Sequence, residues 1–226
     1  MKLWVLVIAG TAALAILALG FPRNSTLRYR MTVAVQTPQG VRSGSSVMEA
    51  RIVRQIPLMG ADAVRYEHEG EAVAVDLPDG STLFGLLGQD AYHVALPTHG
   101  WRRGTAVPDV TPEMPTALRE RDAADWPVLR RRAPSMRLVP QDYPLFARFS
   151  DITDARSLEL VGDDQFSAAL GPGYRLLEVT LQPTEAPLEW TIERRLAWLG
   201  TSVTNYLPGE VARSRGISAL NFQRRR

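Results

Sequence analysis

The chain has 226 residues, 26 basic against 24 acidic side chains, 45% apolar residues and no cysteine. That apolar content supports a packed globule of one or two domains and excludes wholesale disorder. Without cysteine there are no disulfides, thiol nucleophiles, thioether haem, cysteine-ligated zinc, iron–sulfur clusters or lipoprotein anchors. Lys2 is the single lysine among the basic residues, and the rest are arginine. Lysine-dependent mechanisms (Schiff bases, an SxxK pair, a phosphate-binding loop with its lysine) are therefore excluded from the body of the chain.

The first element begins at Leu3 and ends at Phe21, LWVLVIAGTAALAILALGF, with no charged side chain. As a helix at 1.5 Å per residue it spans about 28 Å, close to the ~30 Å hydrocarbon core of a bilayer. Lys2 and the α-amine form a short positive region before it. Ala18-Leu19-Gly20 offers a small-residue cleavage pattern, so residues 1–22 read as a signal anchor or a signal peptide. The run exceeds an ordinary signal-peptide core, which favours an uncleaved transmembrane helix; secretion after cleavage near Gly20 is the alternative. Positive charges flank both ends, with Arg23, Arg28 and Arg30 following. Long domains translocate largely regardless of charge, so residues 23–226 are expected in the periplasm, anchored in the inner membrane by a single pass.

The body reads as β-rich. Leu27, Tyr29, Met31, Val33 and Val35 alternate with polar or small residues, the period of a half-buried strand. Pro38-Gln39-Gly40 predicts a turn, and residues 41–53 a second strand of a long hairpin. Within it, Ser43-Gly44-Ser45-Ser46 marks a bulge or an edge segment. Further strands are predicted at 64–68, 72–77, 81–87 and 92–96, with turns at Glu69-Gly70 and Pro78-Asp79-Gly80. Residues 97–115, rich in Pro, Gly and Thr, mark a loop or a sub-boundary.

Residues 116–132 have helical content up to Pro127. Strands are expected at 144–149, 157–161 and 174–181. A small helix is expected over 163–170, capped by Asp163 and stopped by Gly171-Pro172. Leu188, Ile192, Leu196 and Leu199 predict a short amphipathic helix, and 220–222 a closing strand before a mobile arginine triplet. The fold class expected is α+β and β-rich. It is an antiparallel meander or sandwich-like sheet with a few short helices, after one N-terminal transmembrane helix.

Candidate chemistry is sparse. His68, His93 and His99 show no spacing of a zinc ligand pair, so no metal or other cofactor is expected. No G-x-S-x-G elbow occurs. Asp151/Asp154, Asp163/Asp164 and Glu67/Glu69/Glu71 are available as carboxylate pairs. They read as a turn, a helix cap and a solvated strand face. The loop around His93, His99, Trp101, Arg102 and Arg103 is the candidate binding site, because it joins aromatic, imidazole and guanidinium groups. Without Lys2 and the terminal arginine triplet, 22 basic residues face 24 acidic ones, so nucleic acid is not an expected partner. The partners expected are the membrane and another envelope protein.

Residues 28–50, RYRMTVAVQTPQGVRSGSSVMEA, resemble a group of uncharacterised proteobacterial proteins that are N-terminally anchored or exported. The later stretch 171–199, with GPGYRLLEVTL and ERRLAWL, resembles the same group. The resemblance implies a bacterial, membrane-associated protein, and no catalytic residue is carried over. The function expected is a membrane-anchored envelope protein with a binding or structural role. The alternative is an envelope hydrolase using His93, His99 and nearby carboxylates.

Overall fold

A computed structural model describes residues 25–54, 64–87, 135–138, 140, 143–201 and 206–225. The apolar run 3–21, the strand expected at 92–96, the loop 97–115 and the helix at 116–132 lie outside the described residues. Among the described residues, no helix is long and apolar enough to cross a membrane.

Two antiparallel sheets form the body. The first is built on β1 (Ser25–Thr37) and β2 (Gly40–Arg54). Their register runs unbroken from Ser25↔Ile52 to Thr37↔Gly40. The turn is held by Thr37, whose Oγ1 accepts from Gln39 N at 3.2 Å and donates to Gly40 O at 2.7 Å. β3 (Val64–Glu71) pairs with β2, and β9 (Arg175–Pro183) pairs with the other side of β1. Two short edge strands, β6 (Met136–Arg137) on β9 and β10 (Gln223–Arg224) on β3, complete the order β10-β3-β2-β1-β9-β6. The second sheet has the order β4-β5-β7-β8, from β4 (Val73–Asp76), β5 (Thr82–Gly85), β7 (Phe146–Phe149) and β8 (Leu158–Val161).

The alternation read in β1 is realised. Leu27, Tyr29, Met31, Val33 and Val35 are buried, and the residues between them are half-buried. This inward row packs with Met48, Ala50, Val179 and Leu181 against Val73, Val75, Leu83, Phe146 and Val161 of the second sheet. The opposite face of the second sheet carries Phe84, Ala147, Phe149 and Leu158. It is covered by Ile192, Leu196, Leu199, Leu207, Ile217 and Phe222. The result is three layers, with the second sheet in the middle. A strand buried on both faces needs apolar residues at every position, which is why 72–77 and 81–87 read as near-continuous apolar runs. An edge-to-face cluster of Phe84, Phe149, Trp198 and Phe222, with centroids 5.5–5.8 Å apart for its T-shaped pairs, joins the middle layer to its cover.

Several local expectations are corrected. Glu69-Gly70 is not a turn; β3 runs through to Glu71, and the chain changes sheets at Ala72. Gly70 has φ +143, and a Cβ there would stand 3.1 Å from Met48 Cα, so the residue lets β3 lie close against β2. The Ser43–Ser46 stretch holds no bulge. Gly44 is instead the crossing point of the two sheets, where a Cβ would lie 1.9 Å from Ala74 O. The register shift falls between Ala34 and Val35 against β9, where Glu178 and Leu176 are their partners.

The small helix is α1 (Phe166–Leu170), with Gln165 rather than Asp163 before it and no side-chain cap. The helix expected through Leu188 breaks up. Ile192–Arg194 and Leu199–Thr201 are 3-10 turns, and Leu188 precedes them in a segment without regular structure. Residues Ala219–Asn221 form a 3-10 turn, and the closing strand comes after it as β10. A second short helix, α2 (Glu210–Ser214), was not expected.

Glu71 is not on a solvated face. It is buried, and its carboxylate accepts from Thr191 N (2.7 Å), Thr191 Oγ1 (2.6 Å) and Ile192 N (3.0 Å). It thereby caps the 3-10 turn that starts the C-terminal cover.

Two variants and a control test these junctions by urea denaturation. Gly44→Ala loses about 3 kcal/mol or fails to fold, because the methyl group meets a carbonyl of the other sheet. Gly200→Ala, with nothing within 4 Å of its new carbon, is expected to change stability little. Glu71→Ala is expected to lose about 2 kcal/mol, since three donors, of which the Ile192 N–H is buried, lose a charged acceptor.

Candidate functional site

The residues singled out from the sequence, His93, His99, Trp101, Arg102 and Arg103, lie outside the described residues. The described chemistry-bearing side chains are placed as follows.

His68 sits in the core, 8% exposed, on the inward face of β3. Its Nε2 is 3.1 Å from Tyr29 Oη, and the two rings are parallel within 3°. The register places Ala50 of β2 between Leu27 and His68, so the Tyr29–His68 pair spans β2 diagonally. Nδ1 is buried without a hydrogen-bond partner. Burial pushes the imidazole pKa down to about 3, and the nearby Arg224 charge adds to this. Burial likewise raises the Tyr29 phenol above its usual range. His68 is therefore a neutral core residue and not a base in neutral solution. Among the described residues, no group of three or more His, Asp or Glu side chains could hold a metal ion.

The carboxylates named from the sequence do local work. Asp151 accepts from Thr153 N and Oγ1 (2.9 and 2.7 Å), and Asp154 caps the turn Ala155–Ser157 through Arg156 N. Arg195 pairs with Asp76. The guanidinium holds that carboxyl below its ordinary range. Two of the terminal arginines, Arg224 and Arg225, are held in place. Arg224 lies in β10, while Arg225 pairs with Glu193 at 3.3 Å and lies 4.8 Å over the Trp190 ring.

An arginine cluster invisible in the linear sequence lies on the outward face of the first sheet. Arg28 Nε donates to Glu49 Oε2 at 2.6 Å, and Arg51 donates to Glu49 Oε1 at 2.8 Å. Glu49 faces Arg28 directly across β1 and β2, and Arg51 follows two residues later on the same face. Burial alone would raise the Glu49 pKa; hydrogen bonds from Arg51 and Arg28 outweigh it and hold the carboxyl below its ordinary range. The Glu49 side chain is 6% exposed, against 39% for Arg28 and 25% for Arg51. Two guanidiniums share one shielded carboxylate, and on β3 Glu69 stands opposite Glu49 and Glu67 opposite Arg51.

Comparison with protein-family models, with curated proteins and with solved structures finds no match to this chain.

The histidine gives a prediction for stability. The unfolded chain takes up this proton near pH 6.5 and the folded one only near pH 3, so between those values the unfolded state binds more protons. Stability is full above about pH 6.5 and falls with acidification, by up to about 1.4 kcal/mol per pH unit from this group. Urea midpoints measured from about pH 7.5 to about pH 5 should show this slope, and His68→Gln should flatten it. An unchanged slope in the variant would assign the effect to other groups.

Proposed function

We propose that this chain is a single-pass inner-membrane protein whose β-rich domain stands in the periplasm and has a binding or structural role in the bacterial envelope. The observation that carries the reading is the uncharged run 3–21, which ends three residues before the first strand. A run of that length and hydrophobicity is matched to a bilayer rather than to a two- or three-layered β core. The resemblance of residues 28–50 and 171–199 to anchored or exported proteobacterial proteins supports the same reading. The described domain adds the character of a scaffold: His68 is neutral and enclosed, Glu71 caps a turn, and Glu49 and Asp76 are paired with arginines. Its partner in this reading is another envelope protein.

Expression of the full chain with alkaline phosphatase fused after Arg226 tests topology and anchoring together. Active enzyme that stays with membranes after alkaline carbonate extraction is the expected result. An inactive fusion would place the domain on the cytoplasmic side, and release by carbonate would remove the anchor.

A further inference from the structure

We infer that the outer edge of β3, past the point where β10 stops, is a strand-addition site for an extended segment of another protein that carries a basic residue and, next to it, a hydroxyl residue. The site goes beyond the anchored reading above and does not depend on it. On one side β3 pairs with β2 from Val64 to Glu69. On the other side β10 covers Gly70 and Glu71. Among the described residues, no strand pairs with that outer side from Val64 to Glu69, about 20 Å of edge.

The backbone groups that face outward follow from the occupied part of the same lane. Ala72 N donates to Phe222 O at 2.7 Å, on the side of β10. In an antiparallel ladder every second residue turns its N–H and C=O to the same side, so Gly70, His68 and Tyr66 turn theirs to the outer edge. Such an edge is a template for another strand. The lane already takes one: β10 runs antiparallel there as far as Arg224, and Arg225 then turns to Glu193 and the Trp190 ring.

The two side chains just past Gly70 set the chemistry of the added strand. Glu69 is half-buried and makes no hydrogen bond or ion pair among the described residues. It stands opposite Glu49, whose charge Arg28 and Arg51 already hold. A basic residue opposite Glu69 on the outer side supplies the missing partner. His68 is 8% exposed on the inward face, and its Nδ1 has no hydrogen-bond partner. A hydroxyl residue opposite His68 lies on that same face, and it serves either tautomer because it both donates and accepts. A second copy of β3 suits the edge poorly. Set with His68 opposite Tyr66 or another His68, it puts Glu67 opposite Glu67 or Glu69, and like charges directly opposite repel.

The probe is a dye-labelled peptide, Arg-Thr-Thr-Val-Thr-Val, titrated into the full chain in detergent micelles and followed by anisotropy and by amide hydrogen exchange. Antiparallel addition sets its arginine opposite Glu69 and its first threonine opposite His68. Saturable binding is expected, with exchange slowed at the His68 and Tyr66 amides. Proline in place of the first threonine removes a ladder N–H and should weaken binding at least about tenfold. Glu69→Gln should weaken it about threefold, and Glu69→Arg should reverse the preference toward the same peptide with glutamate in place of its arginine. Absence of binding, equal binding of the proline peptide, or binding that leaves the His68 amide unchanged would overturn the site. Protection of the His68 amide before any peptide is added would overturn it too. It would give the edge to a second copy if it rises with protein concentration, and to another part of this chain if it does not.

Discussion

The structure turns on the place where the chain leaves one sheet for the other. β3 ends at Glu71, Ala72 is the single residue between, and β4 begins at Val73. For β4 to lead the second sheet across the first, its backbone must pass close to β2. Gly44 allows this: any side chain there would stand inside the Ala74 carbonyl. The middle sheet is thereby held against the inward row of β1 and β2, and its other face is left to be covered. The cover is fixed at the same corner. Glu71 accepts three hydrogen bonds from Thr191 and Ile192, and Ala72 N donates to Phe222 O at 2.7 Å. One corner thus sets the relation of all three layers. A buried carboxylate is a costly way to make a joint unless each lone pair is used, and here the donors converge on it.

The same corner explains the fate of the polar residues on β3. His68, three positions earlier, points into the core beside Tyr29, while Glu67 and Glu69 stay half-buried on the other face. A histidine in that place keeps its neutral form because both the low-polarity surroundings and the Arg224 charge disfavour a second proton. Its cost is an unpartnered Nδ1 in the interior. On the outward face the charges are distributed differently: Arg28 and Arg51 both lean on Glu49.

Much of the fold was legible because period-two alternation and turn residues are local signals. Strands β1, β2, β4, β5, β7, β8 and β9 were placed within a few residues of their bounds. The misses share a cause. Gly70 reads as a turn residue, yet its use is to let two strands lie close. The Leu188–Leu199 spacing has helical period, but Leu188 lies in a segment without regular structure, and the chain then turns at the Glu71 cap. The Asp163 cap failed because the helix begins three residues later than its punctuation implied. For the site, Arg102-Arg103 and Arg194-Arg195 were visible as neighbours in the chain, whereas Arg28 and Arg51 were not. Such a spacing carries no sign of proximity until a register is known.

By itself the sequence determined the apolar run, the absence of thiol and lysine chemistry, the hairpin at its head and the β-rich class. Each of these depends on composition or on residues within one or two turns of one another, where side-chain period and backbone preference act directly. Only the tertiary structure decided that the strands divide into two sheets crossing at Gly44, that His68 is enclosed while Glu71 caps a distant turn, and which arginines share Glu49. Those outcomes depend on contacts between residues far apart in the chain, such as Glu71 with Ile192 and Tyr29 with Pro183, and it is the burial of apolar faces, not local preference, that selects them.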